Sequence, residues 1–383
     1  GIIWWNTCKI NQINRHNVLY GGDMILKLSY LGSITLYVIV FLFSAYASKI
    51  KINKIVKIAI ISFLPFLIAG YRYNVGWDYG SYARGFDLYD TSVSFFEMLK
   101  EYKIGDSVGL NLVLLITKSL NSKFLFFAIT SALSFVPAVL YLIDEWDDEK
   151  KILPLTIFVT GFSLFFTGMS AIKQGIAISF CLYSLKYVYR REVIKYIVFV
   201  AIAFLFHSSA LIFIPVYFLW GYNNNISTWK KICAILLCFI FIIGMSNILS
   251  IFGGDRFEAY GTEVLITNNY SFYLMLFWLI IFMLFRRELI AVDTRNDLLI
   301  LLYTVAVILM LVGFRNAFSK RIASYFEVVQ IMLIPELVFV FNKRSRTIAT
   351  VLIALYFVLI CMMYNSGTAE NMAPIPYSFI FGE

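Results

Sequence analysis

Residues 203–215 read AFLFHSSALIFIP, an apolar stretch long enough to enter or cross a bilayer. His207 stands at its centre, and an ionisable side chain at membrane depth is costly unless it faces a cavity or a partner. The stretch can form the tip of a helical hairpin or the middle of one long helix. This choice sets the side of the membrane on which every later loop lies. A solvated histidine without a role is the alternative to a functional one.

The composition indicates a polytopic helical membrane protein. The 383 residues are 61% hydrophobic and 14% charged, whereas soluble domains carry roughly 25% charged residues. Long apolar runs favour helices over the short alternating segments of a barrel. The net charge of +9 comes from short basic clusters between apolar segments, which set membrane topology and do not indicate nucleic-acid binding. The five cysteines form no CxxC pair, and neither a metal nor a cofactor is expected.

Apolar segments recur along the chain and predict an all-α protein with about twelve transmembrane helices. They lie near 27–48, 55–70, 124–143, 152–167, 170–189, 194–206, 208–220, 231–250, 271–285, 298–313, 322–341 and 347–364. A weaker segment, 107–120, predicts a lateral or re-entrant helix. Residues 1–23 are polar, and Gly21-Gly22-Asp23-Met24 can be encoded by a ribosome-binding site that runs into a start codon. We therefore expect translated upstream sequence at 1–23 and a single transmembrane domain over 24–383.

The basic clusters predict the topology, because Lys and Arg concentrate in cytoplasmic loops. A hairpin with His207 at its tip places more of them on the cytoplasmic side than one long helix does. The acidic run 144–149 is then expected to be a solvated cytoplasmic turn. The loops with unusual polar residues all fall on the outer side, namely 71–90, 168–174, 207–209, 254–270, 315–321 and 365–383. The largest non-membrane stretch is the external loop 71–106. We therefore expect these loops to build one external site.

The first of these loops combines cations, a carboxylate and aromatic rings. Arg72 precedes a Gly-Trp-Asp-Tyr-Gly turn at 76–80, which contains Asp78 and Tyr79. Aromatic faces pack well against sugar rings, and a carboxylate binds hydroxyls or accepts protons. The alternative is an interfacial aromatic belt with a snorkelling arginine, although the two glycines indicate a shaped turn.

Basic residues on the predicted outer side are an exception to the positive-inside rule, by which Lys and Arg concentrate in cytoplasmic loops. They are Lys173 with its neighbour Gln174, Arg256 with nearby Tyr260, Arg315, Lys320 and Arg321. An anionic ligand such as a pyrophosphate explains such a set, because Arg grips phosphate oxygens bidentately. Anionic lipid headgroups, or snorkelling in the case of Lys173, are the alternatives. Glu327, on the following helix, can pair with Arg321 or Lys320.

Several stretches resemble EpsG-like membrane proteins. RYNVGWDYGSYARGF at 72–86 resembles their first-loop pattern, an Arg before V-G-x-D-Y. AIKQGIAISFCLYSLKY at 171–187 resembles their R-Q-x-I-A helix, with Lys173 in place of the Arg. The segment around HSSA at 207–210 resembles their A-x-x-F-H-x-S-A, and APIPYSF at 373–379 is similar to their closing P-Y. The resemblance extends from about 70 to 380.

The resemblance implies a Wzy-type polymerase of O-antigen or exopolysaccharide, an inner-membrane glycosyltransferase related to the GT-C class. It implies that undecaprenyl-diphosphate-linked repeat units are joined on the periplasmic face, without a metal. His207 is then the base or the acceptor-orienting group, with Asp78 as rival or partner. The substrate-binding candidates are Arg72, Tyr79, Lys173, Gln174, Arg256, Tyr260, Arg315, Lys320 and Arg321. The expected partners are membrane lipids and a chain-length regulator and flippase of the same pathway.

Two other functions stay open at this point. A flippase for lipid-linked oligosaccharides also needs cations and aromatic residues, but on both sides of the membrane or at its midplane. A membrane acyltransferase needs a histidine that faces a cytosolic acyl donor, and the predicted external position of His207 argues against it.

Overall fold

The computed structural model describes residues 24–92, 107–145, 152–221, 226–237, 270–313, 317–367 and 371–381. Most of them are helical. The helices are α1 (Tyr30–Ala47), α2 (Lys54–Gly70), α3 (Tyr79–Asp87), α4 (Val108–Ser119), α5 (Lys123–Glu145), α6 (Leu153–Ser170), α7 (Ile172–Tyr189), α8 (Val193–Phe206), α9 (Ser208–Leu219), α10 (Tyr270–Leu284), α11 (Arg286–Val292), α12 (Asn296–Val312), α13 (Ala317–Glu327), α14 (Gln330–Val340) and α15 (Lys343–Asn365).

The predicted helical character is confirmed, with four to five candidate membrane spans among the described residues where the sequence predicted about twelve crossings. Within the described ranges, four helices are long and apolar enough to cross a membrane, namely α1, α5, α6 and α15. A fifth candidate is the pair α13 and α14, which is bent by 44° at a short break. The helices α4, α8, α9, α10 and α12 are apolar but shorter. The 12 residues of α4 measure about 18 Å, less than the bilayer core of about 30 Å, which agrees with its prediction as an incomplete crossing.

The chain reverses at His207, which confirms the predicted hairpin. Helix α8 ends at Phe206, His207 is extended (φ −152°, ψ 121°), and α9 starts as a 3₁₀ turn. The two arms lie side by side, because the Tyr196 hydroxyl donates to the Phe213 carbonyl. The rings of Tyr196 and Tyr217 are also 5.3 Å apart. His207 is therefore presented at the tip of a packed hairpin.

A two-stranded sheet joins the two ends of the described chain, a feature that the all-α prediction lacked. Strand β1 (Met24–Lys27) pairs antiparallel with β2 (Ser378–Phe381). The backbone N–H of Tyr73 donates to Ser378 O over 2.9 Å, and that of Ile380 donates to Tyr71 O over 2.8 Å. Strand formation here depends on a partner at the other end of the sequence, which local patterns do not reveal. The sheet thereby fixes the start of the first loop.

The start of the acidic run is ion-paired rather than solvated, so that prediction was wrong for Asp144 and Glu145. Asp144 pairs with Lys54 and, at 2.9 Å, with Lys186. Glu145 pairs with Arg190 at 2.8 Å and Arg295 at 2.7 Å. The ends of several helices converge here, so basic side chains that are distant in sequence surround the two carboxylates. Residues 146–149 lie outside the described residues.

Candidate functional site

The first loop is a shaped turn built on Gly76. Gly76 has φ +107°, a conformation that favours glycine. Its N–H donates to Met372 O over 2.8 Å, and its carbonyl accepts from Tyr79 N at the same distance. A Cβ on Gly76 would lie 2.3 Å from Met169 O. The loop therefore packs closely on α6 and presents Trp77 and Asp78 at its exposed edge.

Substituting Gly76 tests this geometry. We expect Gly76→Ala to destabilise the protein by about 1–3 kcal/mol through backbone strain alone, with the Met169 clash in addition. Gly80→Ala is the matched control in the same loop, because its Cβ would meet only the flexible end of Met372. Thermal unfolding of both purified variants in detergent measures the difference. Equal unfolding temperatures for the two variants would contradict a loop fixed by Gly76.

Arg72 and Tyr79 lie behind this loop rather than on its exposed side. Arg72 is 1% exposed, its Nη1 donates to Met169 O over 2.7 Å, and its Cζ lies 4.5 Å from the Phe127 ring centroid. Burial lowers the pKa of Arg72 to about 10, so the guanidinium stays charged at neutral pH. Tyr79 is buried and stacks on Phe127 with a centroid distance of 4.7 Å. In this structure both side chains hold the loop in place.

The second predicted segment, at the start of α7, is positioned by a close helix crossing. A Cβ on Gly175 would lie 2.7 Å from Gly168 Cα, and small residues permit such close approach. This close packing of α6 on α7 also sets the position of Gln174. Its Nε2 donates to Arg321 O over 2.7 Å and to Ser324 Oγ over 2.6 Å. Gln174, predicted as a substrate contact, thus ties α7 to α13.

Four predicted residues from four separate segments come together as a charged cluster, defined here as Asp78, Lys173, His207 and Arg321. Desolvation by the surrounding protein raises the pKa of Asp78, and the charges of Arg321 and Lys173 oppose that rise. Burial lowers the pKa of His207, and the same two cations lower it further. Both cations therefore lie within electrostatic range of the carboxylate and of the imidazole.

Hydrogen bonds fix the imidazole of His207. Its Nδ1 accepts from the backbone N–H of Ser209 over 3.3 Å and lies 2.7 Å from Ser209 Oγ. Ser209 Oγ lies 3.1 Å from the Tyr325 hydroxyl. Because Nδ1 is an acceptor, the ring proton of the neutral imidazole is on Nε2. Burial, followed by the Lys173 and Arg321 charges, lowers the pKa of His207 to about 4, so the ring is neutral at pH 7.

The remaining predicted cations do not all fall in the described part of the chain. Arg256, Tyr260 and Arg315 lie outside the described residues. Lys320 precedes Arg321 in α13, and its stem packs against Gly313, where a Cβ would lie 2.5 Å from Lys320 Cγ. Within the described ranges, no group of three or more His, Cys, Asp or Glu side chains is placed to hold a metal ion.

The pattern of the EpsG family matches residues 55–379, which is most of the chain and includes every member of the charged cluster. The chain belongs to the EpsG family. This is a family of Wzy-like polymerases, so membership indicates a glycosyltransferase-like polysaccharide repeat-unit polymerase in general. No curated protein and no solved structure matches the chain significantly.

The structure of this EpsG-family member also adds residues that the sequence did not single out. Ser209 and Tyr325 orient His207, and the Tyr82 hydroxyl is hydrogen-bonded by the Lys173 backbone. Two sequence signals point to the first pair. Ser209 follows His207 by two residues, and Tyr325 lies four residues after Arg321, on the same helix face.

Proposed function

We propose that this chain polymerises undecaprenyl-diphosphate-linked oligosaccharide repeat units. The glycan on one lipid diphosphate is transferred to the non-reducing-end sugar of another lipid-linked unit. The observation that carries the proposal is the charged cluster within an EpsG-family chain. A carboxylate, a neutral imidazole and two cations in one electrostatic environment are the groups that glycosyl transfer from a diphosphate requires.

The transfer assigns a role to each member of the cluster. The acceptor hydroxyl attacks the anomeric carbon of the donor sugar, and the bond from that carbon to the diphosphate oxygen breaks. The hydroxyl proton passes to a base, and the departing diphosphate carries the negative charge. Lys173 and Arg321 stabilise this charge, Lys173 as a point charge and Arg321 with its planar fork.

Asp78 suits the role of base better than His207 does. Partial desolvation raises the pKa of the Asp78 carboxylate, which makes it a stronger proton acceptor than an ordinary aspartate. The acceptor atom of His207, Nδ1, is already occupied by Ser209, and Nε2 carries the proton. His207 therefore acts as a neutral donor that orients a sugar oxygen or the diphosphate.

The pH dependence of the reaction separates these two roles. We expect kcat/KM to rise with pH as Asp78 loses its proton, with a midpoint above the ordinary value of 3.8. His207→Gln should lower the rate about 10- to 100-fold, since one donor is displaced, and should leave this midpoint in place. A pH–rate profile of both proteins checks the expectation. Loss of the acidic limb in His207→Gln would instead make His207 the base.

The finer topology belongs to the same proposal. About twelve crossings of the bacterial inner membrane, with lateral or re-entrant helices and a GT-C-like arrangement, would place the cluster on the periplasmic face. The positive-inside bias supports this orientation. Arg256 with Tyr260, Arg315 and Lys320 would supply further diphosphate contacts, with Arg72 supporting from behind the loop. The partners would be membrane lipids and the chain-length regulator and flippase of the same pathway.

Deletion of the gene in its host tests the proposal. A polymerase mutant should leave single repeat units on the surface anchor, visible on a glycan gel, and the wild-type gene should restore the polymer. A flippase mutant would leave no repeat units outside. Full-length polymer in the deletion strain would end the polymerase proposal.

A further inference from the structure

A cavity of about 390 Å³ is lined in part by sequence neighbours of the charged cluster. It lies among α6, α10, α13 and α15. Trp77, the neighbour of Asp78, lines it, as does Ala171, two residues before Lys173. Its volume falls within the range of small-molecule sites. The cavity therefore offers space for a ligand against Trp77, the sequence neighbour of the proposed base.

The walls of this cavity are aromatic, with a few polar groups and no cation. Trp77, Phe166, Trp278 and Tyr356 contribute flat apolar faces. The polar groups include Glu327, Gln330, Ser170 and Asn365. No Lys, Arg or His is among the described residues that line it. This lining does not suit a diphosphate, which needs cations. A polyisoprenyl tail cannot hydrogen-bond to Glu327. A neutral sugar packs on the aromatic faces and hydrogen-bonds to the polar groups.

Glu327 is the distinctive group of the cavity. It is the last residue of α13, at the break before α14. Its Oε1 accepts from Gln330 Nε2 over 3.2 Å, and the predicted ion pair with Arg321 or Lys320 is not found among the described residues. Glu327 lines the cavity, and the described residues of that lining include no cation. A carboxyl group offers more than one acceptor site, and Gln330 uses one of them, so acceptor capacity is left for a ligand.

The hydroxyl of Ser170, in the wall of the same cavity, is a second polar group that can bind a ligand. Ser170 Oγ is buried and has no hydrogen-bond partner among the described residues. Buried polar atoms are nearly always hydrogen-bonded, so an exception at a cavity wall points to a missing ligand or water. A carboxylate with open acceptor capacity and an unpartnered hydroxyl complement a polyhydroxylated molecule.

We propose that this cavity binds the non-reducing-end sugar of the acceptor, and that Glu327 accepts hydrogen bonds from its hydroxyls. The inference rests on the polymerase function proposed above. The non-reducing end is separated from its own diphosphate by a whole repeat unit, so its site needs no cation. The first sugar of the donor, by contrast, is bonded to the diphosphate and must lie beside Lys173 and Arg321. Because Trp77 lines the cavity and precedes Asp78 in the chain, a sugar bound against Trp77 places its acceptor hydroxyl near the proposed base.

Binding and kinetics of Glu327→Gln test the inference. The probe is the free repeat-unit oligosaccharide, released by mild acid from the lipid-linked pool of the deletion strain. Binding to the purified full chain is followed by tryptophan fluorescence, since Trp77 and Trp278 line the cavity. We expect Glu327→Gln to bind about 10- to 100-fold more weakly, because the amide replaces an acceptor oxygen with a donor and loses hydrogen bonds from the sugar hydroxyls. KM for the acceptor should rise by a similar factor with a smaller change in kcat.

Two further variants separate loss of the sugar site from a general effect on the fold. Glu336→Gln is the matched control, since Glu336 is buried in the same bent helix pair, bonds to Asn296 and does not line the cavity. It should bind the oligosaccharide like the wild type. Ser170→Ala is a milder change in the cavity itself and should weaken binding several-fold. Wild-type affinity and KM in both Glu327→Gln and Ser170→Ala would overturn the sugar site while the wild type still polymerises. A wild type that forms no polymer would instead overturn the polymerase function.

Discussion

Asp78→Asn is expected to lower kcat for polymerisation at least about 100-fold, the usual contribution of a general base. Asparagine keeps the size of the side chain and cannot accept the hydroxyl proton. The side chain makes no capping hydrogen bond to α3, so the loop should keep its shape. The two cations of the cluster remain, and binding of the lipid-linked substrate should be retained.

Steady-state rates with lipid-linked repeat units measure this effect, together with the folded yield of the variant. Asp87→Asn is the matched control, because Asp87 ends the same helix and pairs with Lys123 at 3.0 Å on an exposed surface. It should retain the wild-type rate. Loss of a general base lowers kcat about 100-fold or more. A kcat for Asp78→Asn within about threefold of wild type would therefore contradict the proton-accepting role of Asp78.

Arg321→Gln is expected to lower kcat about 10²- to 10³-fold, the loss seen when one preorganised group that stabilises developing charge is removed. Arg321→Lys should recover part of the rate, because it keeps the charge but loses the planar fork. The bond from Gln174 reaches the backbone oxygen of Arg321, so the link between α7 and α13 survives either substitution.

Release of the lipid diphosphate reports this step directly. Arg287→Gln serves as the control, since Arg287 is an exposed arginine in α11. A normal rate of diphosphate release from Arg321→Gln would show that other cations stabilise the leaving group.

The helical fold could be predicted because bilayer physics leaves a strong local pattern. Apolar run length identified the helices, and the basic clusters placed the turn at His207. The strand pairing of Met24–Lys27 with Ser378–Phe381 could not be predicted, because neither strand carries a signal without its partner. The same non-locality hid the pairing of Asp144 with Lys54 and Lys186.

The site was predictable in its residue types and less so in its geometry. Asp78, Lys173, His207 and Arg321 were expected on one side of the membrane, and the structure brings them together. The sequence predicts Arg72 and Tyr79 of the same loop as substrate contacts, yet both side chains are buried. Loop sequence alone does not determine which side chains are buried. In this loop the positive φ of Gly76 and its packing on Met169 determine the orientation of the side chains.

Reconstitution of the purified protein tests the central claim most directly. Proteoliposomes receive only lipid-diphosphate-linked repeat units from the deletion strain, without nucleotide sugars. The proposed function predicts a ladder of glycans of increasing repeat number, with one lipid diphosphate released for each linkage formed, and no ladder with Asp78→Asn. Repeat units that cross the bilayer and stay single would contradict the polymerase and identify a transporter.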